Sequence, residues 1–252
     1  MNKNPNDVLV KEAFEKPQGY LTRTSANIKM RVETVAEYVG DMSHKRILDI
    51  GCGDGSLSLN LLNATNHVTL LDRSQSMLAR AAASVPKGLE GRVTIINSDF
   101  NAYAFEPNSF DLVICVGVLA YVEDLKPFLT RITTVLAPGG TAVVECSDGS
   151  HFMRRIGRAY DRIRRIFGAN DFQTVRRPRS DVIAAFDALG FTPRSSWRYS
   201  YPLPVVRKLL TQSMIYGGTH LLYGTPSRNR NAWAGSECIF HFVRREGTGK
   251  GA

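Results

Sequence analysis

An acidic residue followed by three alternate glycines is the stretch of this chain whose residue types most directly suggest chemistry. Asp49 ends a short apolar run, and Gly51, Gly53 and Gly55 follow at every second position. Glycine has no Cβ atom, so the backbone can turn sharply there and approach a ligand closely. The sequence therefore predicts a buried strand entering a tight ligand-binding loop, with a helix starting in residues 56–63.

The spacing of the glycines indicates which ligand this loop accepts. A dinucleotide-binding loop has the pattern G-x-G-x-x-G, whose third glycine would fall where this chain has Ser56. The carboxylate of Asp49 would also disfavour an anionic pyrophosphate, whereas it suits a cationic ligand. The pattern D-x-G-x-G-x-G thus predicts a nucleotide-like ligand that carries positive charge.

This loop resembles motif I of the class I S-adenosylmethionine (SAM)-dependent methyltransferases, and later segments follow the family in order. Asp72 ends a second apolar run, where the family has an acid that binds the ribose hydroxyls. Asp99 and Phe100 follow a third run, where the family has an acid beside the adenine amino group and an apolar side chain against the ring. The resemblance covers residues 46–146 and implies SAM as cofactor, with S-adenosylhomocysteine (SAH) as its product.

The resemblance also implies a set of residues around the cofactor. In many similar enzymes an N-terminal lead-in covers the methionine end of SAM, and Tyr20 would lie there, with a packing role as the alternative. The segments after the second and fourth strands complete the set. The implied cofactor-binding residues are Tyr20, Asp49, Gly51, Gly53, Gly55, Asp72, Arg73, Asp99, Phe100, Cys115 and Val116.

The alternation of strand and helix patterns predicts an α/β fold. Right-handed crossovers between such units give a parallel sheet, with the ligand at the carboxyl ends of the strands. The resemblance implies a seven-stranded, mostly parallel, doubly wound sheet of order 3-2-1-4-5-7-6, whose last strand is antiparallel. After the first strand, the expected strands are 68–72, 93–97, 110–116, 141–146, 194–201 and 238–244, and the expected helices are 25–40, 75–84, 124–136 and 180–189.

Length and composition favour one domain with additions. The chain has 252 residues, 43% of them hydrophobic, which is enough to bury a full α/β core. We expect a helical lead-in or cap over residues 1–45 and a SAM-dependent methyltransferase domain over residues 46–252. Insertions at about 151–179 and 202–233 are expected to form helical lids over the site.

The cysteines and the apolar runs limit the functional classes. The four cysteines contain no C-x-x-C pair, so neither a metal site nor a disulfide framework is expected. They suit a reducing compartment. The start of the chain lacks the apolar core of a signal peptide, and no apolar run approaches the roughly 18 residues of a membrane span. We expect a cytoplasmic protein without a transmembrane segment.

Positive charge is concentrated in the last part of the chain. Residues 1–149 contain 14 Lys and Arg against 17 Asp and Glu, whereas residues 150–252 contain 18 against 6. Many of these arginines lie between apolar residues at three- and four-residue spacing in residues 152–167, which predicts an amphipathic helix. This helix is either docked with a solvated arginine face, or it is a lid over an anionic substrate, a membrane-surface helix or an RNA-binding face. The candidate substrate-binding residues are Tyr121, Phe152, Arg155 and Tyr160.

The expected chemistry makes modest demands on the protein. The sulfonium of SAM is already activated, so placing the nucleophile in line with the methyl group can supply roughly 7–11 kcal/mol. A hydroxyl or ammonium acceptor would gain from a general base, whereas a carboxylate acceptor needs none. The candidate bases are His151, which could instead cap a helix, and His220, which could instead bond within a turn.

The segment after the fourth strand bears on the acceptor. Enzymes that methylate exocyclic base amines usually have Asp, Asn or Ser there, followed by two prolines and an aromatic residue, but this chain has Val116, Gly117 and Val118. The Pro-Cys pair of C5-pyrimidine methylation is also absent from the sequence. The predicted acceptor is an O or N atom of an organic small molecule, partly apolar, with an acidic or phenolic group, such as a secondary metabolite, quinone or lipid-like compound. An RNA methyltransferase, a non-catalytic SAM-binding or partner-binding protein, and peripheral membrane contact stay open.

Overall fold

The computed structural model describes residues 25–152, 174–175, 177–200, 206 and 209–245. In these ranges helices flank a seven-stranded sheet. The helices are α1 Ser25–Val39, α2 Gln75–Ala83, α3 Leu125–Val135, α4 Arg179–Ala188 and α5 Gln212–Tyr223. The sheet strands are β1 Arg46–Ile50, β2 His67–Asp72, β3 Val93–Asn97, β4 Phe110–Cys115, β5 Leu136–Ser147, β6 Phe191–Tyr199 and β7 Glu237–Arg244.

The sheet confirms the predicted fold class and strand order. The strands lie in the order β3-β2-β1-β4-β5-β7-β6. The pairs from β3 through β5 are parallel, whereas β7 runs antiparallel to both β5 and β6. Chain order reverses at β1, because β2 lies on one side of it and β4 on the other. The carboxyl ends of these strands therefore flank the switch point at which open α/β sheets bind ligands.

Both faces of the sheet are covered by helices, which explains the apolar runs of the strands. Successive side chains of a strand point to opposite faces. Leu48 and Val113 belong to a core with α3 and α4, whereas Ile47 and Leu112 belong to a core with α1 and α2. Burial on both faces is typical of central parallel strands and makes β1 and β4 nearly continuous in apolar residues.

The prediction that a helix starts in residues 56–63 was wrong, since only a 3-10 turn forms there, at Ser58–Asn60. The Asn63 Oδ1 atom accepts hydrogen bonds from the backbone N–H groups of Thr65 and Asn66. The Asn66 amide in turn donates to the Leu61 carbonyl oxygen at 2.8 Å. These side-chain bonds offer the backbone a turn in place of a helix, and the chain passes directly into β2.

Two strands begin earlier than the sequence predicted. β5 starts at Leu136 rather than at 141, and β6 starts at Phe191 rather than at 194. Register shifts at Phe110/Leu112 and at Pro193/Ser195 accommodate these extensions. The other predicted strands and helices agree with the observed bounds to within one or two residues.

Several sequence predictions fall outside the described residues, among them those for Tyr20, Arg155 and Tyr160. The same applies to most of the arginine-rich segment 152–167, of which residue 152 is described. The insertion predicted at 202–233 contains α5 and a small hairpin formed by Gly224–Thr225 and Arg228–Asn229. None of the helices in the described part of the chain is long and apolar enough to cross a membrane.

Candidate cofactor-binding site

A cavity of about 1080 Å³ opens at the carboxyl ends of the central strands. The loops after β1, β2, β3 and β4 line it, together with parts of α1 and α3. Nine of the cofactor- and substrate-binding residues predicted from the sequence lie in this lining. They are Asp49, Gly51, Gly53, Asp72, Arg73, Asp99, Phe100, Val116 and Tyr121.

The glycine loop is shaped by positive φ angles and by close neighbours. Gly51 has a φ of +68°, and a Cβ atom there would lie 2.5 Å from a methyl group of Val118. Gly53 has a φ of +58°, and a Cβ atom would lie 3.1 Å from the Met77 methyl group. Gly55 does not line the cavity, and its Cβ would press on Leu59 at 2.9 Å. The first two glycines form the cavity wall, whereas the third allows packing behind it.

Asp72 is held by backbone donors at the end of β2. Its Oδ2 atom accepts a hydrogen bond from the Gly53 N–H at 2.8 Å, and its Oδ1 atom accepts one from the Ser74 N–H at 2.8 Å. Each carboxylate oxygen has a second lone pair, so both can accept a further hydrogen bond. The carboxylate is therefore oriented before a ligand arrives, and it ties the glycine loop to β2.

The loop after β3 supplies a second acid and an aromatic wall. Asp99 accepts a hydrogen bond from the Asn101 N–H at 2.7 Å and lies 3.5 Å from the Arg73 guanidinium. Phe100 is buried and packs edge to face on Phe128, with ring centroids 5.3 Å apart. This end of the cavity offers a carboxylate beside an apolar ring, which suits a flat heterocycle with an exocyclic amine.

Asp49 is the buried acid of the loop. Only 3% of its surface is exposed, and one carboxylate oxygen accepts a hydrogen bond from the Ser58 hydroxyl at 2.7 Å. Burial raises the pKa of Asp49 to about 7, although the Ser58 bond acts in the opposite direction. A positively charged ligand in the cavity would favour the ionised form of this group.

Arg31 lines the cavity, and the sequence reasoning did not single it out. It projects from α1 together with Ile28, and its Nε atom donates to Glu145 Oε1 at 3.2 Å. Its Nη2 atom also contacts Glu145 Oε2. The available signal was a cation within the otherwise apolar helical stripe of Ile28, Val32 and Val35.

Part of the chain matches a known protein family. Residues 47–140 match the family described as "Methyltransferase domain". A magnesium protoporphyrin IX methyltransferase from Synechocystis PCC 6803, solved with bound SAH, has the same fold with a TM-score of 0.63. That match covers 95% of this chain and 100% of the other at 16% identity. Residues 47–140 are thus similar to a methyltransferase domain, and the fold of the described residues is that of a solved methyltransferase.

Curated relatives of the chain are named for different methyl acceptors. A ubiquinone biosynthesis O-methyltransferase from Aeromonas salmonicida is 30% identical over 135 residues, which are 52% of this chain and 56% of that protein. A sterol 24-C-methyltransferase from Neurospora crassa is 31% identical over 109 residues, covering 42% and 29% of the two chains. The chain thus spans less than two thirds of the length of these curated relatives.

The structure places the two histidines named as candidate bases outside the cavity. His151 is buried, and its Nε2 atom donates to the Trp233 carbonyl oxygen at 3.2 Å. The His220 Nδ1 atom donates to the Gly224 carbonyl oxygen at 3.1 Å, at the end of α5. Neither imidazole lines the cavity, so a catalytic role stays a prediction that their positions do not support.

Two further sequence candidates also lie apart from the cavity. Cys115 is fully buried in the core, where burial raises the pKa of its thiol, and it is not part of the lining. Phe152 is exposed and stacks on Trp233 with ring centroids 6.0 Å apart, also outside the lining. The described residues contain no cluster of three or more potential metal ligands.

Proposed function

We propose that this chain binds SAM in the cavity and transfers its methyl group to an O or N atom of a partly apolar organic small molecule with an acidic or phenolic group. The observation that carries the proposal is the set of charges that line one cavity: Asp72 and Asp99 at β2 and β3, Arg31 beside the loop after β4, and Asp49 near the end of β1. We place the methyltransferase domain in residues 46–252, with residues 1–45 as its lead-in.

The adenosine end of SAM fits the loops after β2 and β3. Asp72 would accept hydrogen bonds from the ribose hydroxyls with the oxygens that face the cavity. Asp99 would accept one from the adenine amino group, and Phe100 would pack against the adenine ring. Arg73, 3.5 Å from Asp99, would hold that acid at the mouth of the site.

The methionine end of SAM fits the side of the cavity formed by α1 and the loop after β4. A Cβ atom on Gly117 would lie 3.5 Å from Arg31 Nη2, so the guanidinium borders this loop. Arg31 would bind the α-carboxylate, because a guanidinium matches a carboxylate in charge and geometry. Asp49 would stabilise the positive charge that SAM brings into a buried site.

The acceptor is expected beside the loop after β4, where Val118, Tyr121 and Val122 line the cavity. These side chains suit a partly apolar molecule. Neither candidate imidazole lines the described cavity. This favours methyl acceptors that are ionised without a general base, such as carboxylates and phenols of low pKa. The ubiquinone O-methyltransferase among the relatives supports a quinone-like phenol. The four cysteines are free thiols, which supports a reducing compartment such as the cytoplasm.

The test is methyl transfer from radiolabelled SAM to a metabolite extract, with an RNA pool and anionic vesicles in parallel. Label in an organic-soluble, acidic product that disappears in Asp72→Ala would support the proposal. Label only in RNA would favour the RNA methyltransferase, and SAM binding without label in any pool would favour the non-catalytic protein.

A further inference from the structure

A buried side-chain network lies directly behind Arg31. Glu145, on β5, is only 5% exposed and receives two contacts from the Arg31 guanidinium. The Tyr199 hydroxyl, on β6, donates to the same carboxylate at 2.9 Å. Neither Glu145 nor Tyr199 lines the cavity. The network therefore connects a cavity residue on α1 to the strands β5 and β6.

Each member of this network is restrained by its surroundings. Tyr199 is fully buried and stacks on Trp197, with ring centroids 4.5 Å apart. Glu145 lies opposite Ile239 of β7, on a strand that is paired on both sides. A buried carboxylate is costly unless it is paired and hydrogen-bonded, so Glu145 strongly favours one position of the guanidinium. A guanidinium carries five N–H donors, so it can bond Glu145 with two and a ligand with others.

We propose that Glu145 and Tyr199 are positioning residues that hold the Arg31 guanidinium in the orientation that binds the α-carboxylate of the cofactor. The inference rests on the proposed function, in which that carboxylate lies at Arg31. A fixed donor loses less freedom on binding than a mobile one, so supporting residues of this kind raise affinity without touching the ligand.

The experiment compares two ligands by titration calorimetry. SAH has the amino-acid end, whereas 5′-methylthioadenosine keeps the adenosine and lacks the carboxylate. In Glu145→Gln we expect SAH affinity to fall about tenfold, at the lower end of the loss seen when the partners of metal-binding side chains are changed. Methylthioadenosine affinity should stay within about twofold of the wild-type value. Tyr199→Phe should give a smaller loss with the same selectivity. Glu33→Gln is the matched control, because Glu33 is also on α1 but bonds Tyr216 instead.

The outcomes separate the inference from the proposed function. If Arg31→Gln removes the preference for SAH and the Glu145 and Tyr199 variants keep it, the positioning role is overturned while the carboxylate contact stands. If Arg31→Gln leaves the preference unchanged, the contact itself is wrong. Equal loss of both ligands in Glu145→Gln and Tyr199→Phe would mark a merely structural pair and would also overturn the inference. Non-additive losses in the Arg31→Gln/Glu145→Gln double variant would support it.

Discussion

Because Asp49 is buried, we expect cofactor affinity to fall as the pH is lowered from 8 to 5. Burial places the pKa of this carboxyl at about 7, so it is largely neutral at pH 5 and largely ionised at pH 8. A cationic ligand binds best to the ionised form. If the pKa in the complex falls below 4, affinity should drop about 100-fold, or roughly 3 kcal/mol, between pH 8 and pH 5.

Titration calorimetry with SAM across this pH range measures the effect, because its sulfonium supplies the positive charge that SAH lacks. The ligand's own ammonium group titrates at the upper end of the range, but it contributes equally in every variant. Asp49→Asn should therefore remove the part of the change in affinity with pH that is due to Asp49. Asp54→Asn is the control, since Asp54 also lines the cavity but is less buried. Equal pH slopes in wild type and Asp49→Asn would show that Asp49 does not cause the pH dependence.

The raised pKa of Asp49 also determines how the free energy of unfolding should change with pH. The folded-state pKa of Asp49, about 7, lies above the unfolded value of about 3.9. Its contribution to stability is fully present below pH 4 and is lost as the pH rises through 7. Asp49→Asn should therefore be more stable than wild type at pH 8, by at most roughly 4 kcal/mol, with no gain below pH 4. Urea unfolding at the two pH values would measure this difference.

Other substitutions test the remaining parts of the site. Asp72→Ala should cost about 1–3 kcal/mol of SAH binding by calorimetry, because it removes the ribose acceptor, and unchanged affinity would exclude that role. Gly53→Val should abolish SAH binding with an unchanged circular dichroism spectrum, whereas loss of the spectrum would mean that the glycine serves the turn alone. Gly51→Ala should weaken SAH binding. The control is Gly139→Ala, because Gly139 also has a positive φ, +76°, but a Cβ atom there would have no neighbour within 4 Å; this substitution should cost only about 1–2 kcal/mol of stability. His220→Ala should lower the melting temperature through lost ring contacts and leave SAH affinity unchanged, and a selective loss of turnover would instead support a catalytic role.

The sequence was sufficient to predict the fold and to place three acids at one edge of the sheet. Strand patterns and glycine spacing are local features, and in a parallel sheet the residue that ends each strand is carried to one edge. Asp49, Asp72 and Asp99 each end or follow a strand, so their convergence on the cavity follows from strand order alone. Their positions at the cavity could therefore be predicted from strand order, without information on any tertiary contact.

Features that depend on tertiary contacts could not be predicted in this way. Arg31 reaches the cavity because α1 packs against the sheet beside Glu145, which is 114 residues away in the chain. His151 turns from the cavity because its partner is the carbonyl group of Trp233, 82 residues away. Both directions are set by distant hydrogen-bond partners, which no local pattern encodes.

A crystal structure of the protein with SAH would show the position of both ends of the ligand. We expect the ribose hydroxyls to lie within hydrogen-bonding distance of Asp72, about 2.5–3.0 Å. We also expect the α-carboxylate to contact the Arg31 guanidinium and the sulfur to face the loop after β4. SAH bound in the reverse orientation, or bound outside the cavity with Asp72 and Arg31 both away from the ligand, would show that the proposed binding mode is wrong.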